Sequence, residues 1–122
     1  MATEPTTNIF IICSVRGMDD MYRANLEDYV GGLEADGCNV HLPHRDTNQD
    51  SSGWDICREN AYAIHSADEV HIFYSPDSKG THFDMGVAFA FGKKLVVVEN
   101  VKYDKGKSFP RMIDEWAAQD PL

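Results

Sequence analysis

The stretch V-H-I-F-Y-S-P-D-S-K-G-T-H-F-D-M-G-V-A-F-A-F-G-K-K-L-V-V-V, residues 70 to 98, decides how the chain is read. It opens on a short β-branched and aromatic run, Val70 to Tyr74, and closes on another, Leu95 to Val98, behind the turn Gly92-Lys93-Lys94. Both runs have the length and composition of strands, and LVVV is apolar at every position, as a strand buried on both faces requires. The segment between them carries Met85, Ala88, Phe89 and Phe91 as the inner side of a helix, with Thr81 as its cap. Strand, helix, strand in about thirty residues is the βαβ unit, and it predicts a parallel sheet with a right-handed crossover.

Working outward, the same alternation repeats. Asn8 to Cys13 (NIFIIC) is a nearly continuous apolar run and reads as the first strand. Met21, Leu26, Tyr29, Val30 and Leu33 then recur at helical spacing up to Gly37, which suits the position just past a helix end. Cys38 to Leu42 reads as a short second strand, and the polar Pro43 to Gly53 fits neither period and reads as a long loop. Ser52, with Asp55 three residues on, caps a helix whose apolar side is Ile56, Ala61, Ile64 and Ala67. Ser108, Phe109 and Pro110 open a last helix through Trp116. The expectation is one α/β domain over residues 1–122, a flavodoxin- or Rossmann-like three-layer sandwich with a four- or five-stranded parallel sheet.

The composition bounds the function. A length of 122 residues is that of one domain, and 43% hydrophobic with 25% charged residues is ordinary for a globular protein. A net charge of -9 opposes a nonspecific nucleic-acid or anionic-membrane surface, so neither is expected as a partner. Cys13, Cys38 and Cys57 are odd in number and lack C-x-x-C spacing, which points to a reducing, cytoplasmic compartment. His41, His44, His65, His71 and His82 are scattered without ligand spacing, so no metal is expected, and no cofactor is implied.

Ligands of open α/β sheets bind outside the carboxyl ends of the strands. That rule selects three polar loops, Ser14 to Asp19, Pro43 to Gly53 and Ser75 to Thr81. In the first, Ser14, Arg16 and Gly17 suit a phosphate by charge and hydrogen bonding; the plainer alternative is that Arg16 pairs with Asp19 or Asp20 while Gly17 makes the turn. In the third, Asp84 falls at the third helical position if Thr81 is the cap. Helix-terminal N–H groups then keep it ionised as a nucleophile or oxocarbenium stabiliser, or else it merely closes a capping box on Thr81. Phe83, Phe89 and Phe91 read as core, with Phe83 left open as a base-stacking ring.

These residues resemble a known family. From Ile9 to Glu99 the chain is similar to the nucleoside 2-deoxyribosyltransferase superfamily, which includes deoxynucleoside 5′-monophosphate N-glycosidases. S-K-G-T-H-F-D-M-G-V-A-F-A-F-G-K-K-L-V-V-V, residues 78 to 98, resembles the family's G-x-x-x-E-x-G-x-A-x-x-x-x-K-x motif and apolar run. S-V-R-G, residues 14 to 17, resembles the phosphate-contacting loop of the monophosphate hydrolases. R-D-T-N-Q, residues 45 to 49, is similar to the base-contacting loop, and N-A-Y-A-I-H-S-A-D, residues 60 to 68, to a D-(seven residues)-D segment.

The resemblance implies cleavage or transfer at the N-glycosidic bond of a nucleoside or its 5′-monophosphate. Asp84 would stand at the nucleophile position, Asn60 at the leaving-base position, and Asp46 as a substitute acid. Ser14, Arg16, Gly17, Asn48, Gln49, Ser78, Gly80 and His82 would contact substrate. It also implies a homo-oligomer, since family members complete their pockets with a neighbour's residues. Two departures fall on the chemistry. Asp84 replaces a glutamate and reaches roughly 1.5 Å less far. Asn60 replaces an aspartate and cannot protonate a base, and the adjacent Glu59 points about 100° away around the helix. The alternative is therefore a nucleotide-binding module of the same fold that does not cleave its ligand.

Overall fold

The structure, a computed structural model, describes residues 6–119. Its elements are β1 (Asn8–Ile12), α1 (Asp20–Ala35), β2 (Asn39–His41), α2 (Pro43–Asp46), α3 (Gly53–Ser66), β3 (Glu69–Phe73), α4 (Lys79–Ala90), β4 (Lys94–Glu99) and α5 (Phe109–Ala117). The four strands form one all-parallel sheet in the order β2-β1-β3-β4.

Strand periodicity divides the core into two layers. Ile9, Ile11 and Cys13 of the first strand segment join Leu26, Val30, Val40, Leu42 and Phe73 on the α1 side. Phe10 and Ile12 join Val70, Ile72, Ile64, Met85, Ala88 and Ile113 on the side of α3, α4 and α5. The chain steps from β1 to β2 in one direction and then to β3 and β4 in the other, so right-handed crossovers put α1 on one face and α3 and α4 on the opposite face. The carboxyl ends of β1 and β3 are where the winding reverses, and a crevice opens there.

Two glycines set strand entry by the same device. Gly37 (φ +92°) and Gly92 (φ +66°) follow α1 and α4 in the left-handed region. In each case the glycine N–H and the next N–H return to carbonyls of the last turn: Gly37 to Glu34 and Cys38 to Leu33, Gly92 to Phe89 and Lys93 to Ala88. These are Schellman ends, and a β-branched residue at either glycine would be strained.

Several expectations need correction. Within the expected Pro43–Gly53 loop, Pro43–Asp46 forms a short helical turn, because proline presets the first dihedral and Asp46 Oδ2 accepts from Leu42 N at 2.9 Å. Helix α4 begins one turn earlier than its expected Thr81 cap. Ser78 is the N-cap, its hydroxyl accepting from Thr81 N at 3.1 Å, and Thr81 is fully buried. The buried stripe of α4 is Thr81, Asp84, Met85 and Ala88, so Phe83, Phe89 and Phe91 face outward rather than into the core. Phe89 is 61% exposed and meets Trp116 edge-to-face, while Phe91 meets His65 in the same way. Met21, expected on the apolar side of α1, is also exposed.

Candidate functional site

The crevice at the carboxyl ends of β1 and β3 is a cleft of about 910 Å³. Its walls come from three segments: Cys13 to Arg16 after β1, Pro43 and Gln49 with the start of α3, and Tyr74 to Gly80 leading into α4. Asp84 and Asn60 form its floor, from facing helices.

Asp84 lies in the second turn of α4, six residues past the Ser78 cap, and is 5% exposed. The expectation that helix-terminal N–H groups keep it ionised therefore fails, as does the Thr81 capping box. Burial pushes the carboxyl up to about 7, with a side-chain hydrogen bond from Asn60 pulling the other way. At neutral pH the group is poised between its two forms. The neighbouring Cys13 thiol is pushed up to about 12 by burial and by Asp84, so it is a neutral, unreactive wall. Asn60 is itself buried, and its Oδ1 accepts from Thr47 Oγ1 at 2.7 Å.

One end of the cleft suits an anion. Ser14, Arg16, Ser78, Lys79 and Gly80 line it, and the first-turn N–H groups of α4 lack intrahelical carbonyl partners. Ser14 Oγ donates to the Arg16 carbonyl at 3.2 Å, and Gly17 (φ +69°) turns the chain into α1. Asp19 caps α1 by accepting from Tyr22 N at 2.7 Å, and among the described residues Arg16 forms no ion pair with Asp19 or Asp20. Gly17 lines a shallow extension of about 230 Å³ that shares Ser14, Arg16 and Ser75 with the cleft. Gln49 lines the cleft but spends its amide N–H on Pro43 O at 2.9 Å, so its oxygen is the group it offers a ligand.

Three of the residues singled out from the sequence lie elsewhere. Asp46 lines a separate depression of about 680 Å³ between β2 and α3. It takes two hydrogen bonds from Arg45 at 2.9 Å and one from Leu42 N; burial raises its carboxyl, but these contacts outweigh it and hold the group below its ordinary value. It is neither placed nor protonated to act as the acid. Asn48 accepts from Asp50 N at 3.1 Å in a local turn and does not reach the cleft wall. His82 lies behind the wall: its Nδ1 donates to Ser78 O at 2.7 Å and its Nε2 accepts from Tyr74 Oη–H at 2.9 Å.

The reading from sequence missed Lys79, Tyr74, Cys13 and Thr47. Lys79 had a signal, since taking Ser78 as the cap puts a lysine and a glycine at the first two helical positions. Thr47 had none, because its partners His41 and Asn60 are brought to it only by the fold. Among the described residues no group of three or more His, Cys, Asp or Glu side chains could hold a metal ion, and no helix is long and apolar enough to cross a membrane.

No family model and no curated protein matches the chain. Solved structures do. The CMP N-glycosidase BcmB of Clostridium botulinum superposes with a TM-score of 0.68 at 22% identity, over 91% of this chain and 83% of that one. A 2-deoxyribosyltransferase from Leishmania mexicana superposes with a TM-score of 0.61 at 21% identity, over 78% of this chain and 65% of its own length. The chain thus has the α/β fold, with its four-stranded parallel sheet, that these two solved structures share.

Proposed function

We propose that this protein binds a nucleoside 5′-monophosphate, or the nucleoside, in the cleft and cleaves or transfers its N-glycosidic bond, with Asp84 as nucleophile. The observation that carries the reading is the placement of a buried, titratable carboxyl between Asn60 and a cationic helix N-terminus in one cleft. The phosphate lies against Ser14, Arg16, Lys79 and the α4 N–H groups, which sets C1′ toward Asp84. A carboxylate oxygen of Asp84 attacks C1′; the C1′–N bond breaks and its electron pair stays on the base nitrogen. Asn60 can donate a hydrogen bond to the departing base, which takes its proton from solvent. Water or the ring nitrogen of a second base then attacks C1′ and gives up its proton to solvent, while the C1′–O bond to Asp84 breaks and its electron pair restores the carboxylate, the double displacement of retaining glycosidases.

Single-turnover incubation with a panel of nucleosides and monophosphates, scanned for free base, tests this. Asp84→Asn is expected to abolish release while nucleotide affinity stays within a few-fold, because the lost charge opposes a positive charge present only in the transition state. Release at the wild-type rate from Asp84→Asn would remove the nucleophile.

A second reading is a nucleotide-binding module without cleavage. It is favoured by the shorter reach of Asp84, by its partial neutrality at pH 7, and by the absence of an acid at Asn60. Binding without base release from any substrate in the panel, unrelieved by Asp84→Glu or Asn60→Asp, selects it. We further propose a homo-oligomer in the cytoplasm. Trp54 and Tyr62, eight residues apart on one face of α3, are 76% and 75% exposed, and Cys13, Cys38 and Cys57 are free thiols. Sedimentation showing a monomer at micromolar concentration contradicts the assembly.

A further inference from the structure

Thr47 sits just past α2, is 4% exposed, and has one hydroxyl proton to give. Its Oγ1 lies 2.7 Å from Asn60 Oδ1 and 2.7 Å from His41 Nε2. An amide oxygen only accepts, so the hydroxyl proton goes to Asn60. The proton shared with His41 must then come from the ring, which requires the Nε2–H tautomer. His41 is held for that role, its ring stacked on Phe10 at 5.3 Å and 11°. With Oδ1 occupied, the group Asn60 has left for the cleft floor it shares with Asp84 is its N–H₂, and a hydrogen bond from Asn60 favours the Asp84 carboxylate. The reverse polarity would set the Asn60 oxygen against that carboxylate, two acceptors facing one another.

We propose that Thr47, oriented by His41, is a positioning residue that locks the Asn60 amide with its N–H toward Asp84, so that Asn60 serves the cleft as a hydrogen-bond donor only. Its relevance to catalysis rests on the reading of Asp84 as the reacting carboxylate; its geometry does not. A ligand atom that meets Asn60 must then be an acceptor, such as a carbonyl oxygen or an unprotonated ring nitrogen. The chain runs from the depression between β2 and α3, which His41 lines, through the protein to the cleft floor. The groups facing its two ends are Cys13 and Asn60 at Asp84, and Asp46, Glu59 and Arg45 at His41.

The test is NMR on the full chain, with carboxyl-¹³C titration of Asp84 and imidazole ¹⁵N shifts of His41, in wild type, Thr47→Val and Thr47→Ser. We expect neutral wild-type His41 to carry its proton on Nε2. Thr47→Val frees the amide to rotate and is expected to raise the Asp84 midpoint by about one pH unit, the scale of one hydrogen bond to a carboxylate. Thr47→Ser, which keeps the hydroxyl, restores the wild-type midpoint. A proton on Nδ1 of wild-type His41, or an Asp84 midpoint in Thr47→Ser displaced like one lacking the hydroxyl, overturns the proposal, and both can be read even if Thr47→Val does not fold. An unchanged midpoint in folded Thr47→Val also overturns it. Failure of the wild type to release base would sink the enzymatic reading and leave this chain of hydrogen bonds untouched.

Discussion

Asp84→Asn should stabilise the protein while it silences the site, and the gain should depend on pH. Burial raises the Asp84 carboxyl from 3.8 to about 7. The sign follows from linkage: folding favours the protonated form, so the ionised carboxylate opposes folding. That cost is absent below the unfolded value near 4, grows as pH rises from 4 to 7, and is complete above 7. A shift of about three pH units corresponds to about 4 kcal/mol at most, of which roughly 2–3 kcal/mol develops between pH 5 and pH 8. Asparagine keeps the shape and can still bond to Asn60, but carries no charge to bury. Urea unfolding of wild type and Asp84→Asn at pH 5, 6, 7 and 8 measures the gap; every other titrating group is common to both proteins, so its contribution cancels. The expected gap widens toward pH 8 in favour of asparagine and then levels off. A gap constant from pH 5 to pH 8 would refute the argument, because it would mean that Asp84 ionises in the folded protein as it does in water.

Base release should rise roughly tenfold per pH unit below about 7 and level off above it, since the nucleophile is the ionised form; a rate flat from pH 5 to pH 8 contradicts Asp84 in that role. Arg16→Ala and Lys79→Ala should each weaken monophosphate binding about tenfold and nucleoside binding little, by isothermal titration; equal effects on both ligands remove the phosphate subsite. Asp84→Glu should raise the single-turnover rate if reach is limiting, and Asn60→Asp should raise it if leaving-base protonation is limiting. Ile64→Ala, in the layer between the sheet and α3, should cost about 2–5 kcal/mol by urea unfolding, with the m-value unchanged.

The architecture was legible in the sequence because the interactions that select it are local or periodic. The isoleucine run of β1, the Schellman glycines Gly37 and Gly92, and the Ser52 and Ser108 caps each announce an element from its own residues. The alternation of those elements allows few topologies, and the winding rule then places a ligand site at the loops after β1 and β3. The start of α4 is read one turn late from the sequence. Thr81 is expected as the cap, but Ser78 caps, with Thr81 buried and Asp84 carried a turn deeper into the helix. The protonation of Asp84 depends on how much water the packed cleft removes, which no neighbouring residue in the chain reports. Asp46 is taken up locally, by Arg45 beside it and Leu42 one turn back, whereas the polarity of Asn60 is set by Thr47 and His41, through distances created only when β2 and α3 pack around the end of α2. Sequence by itself thus determined the fold and the position of the cleft, whereas the charge and hydrogen-bond direction of the groups inside it were decided by tertiary burial, because desolvation and geometry are properties of the packed neighbourhood.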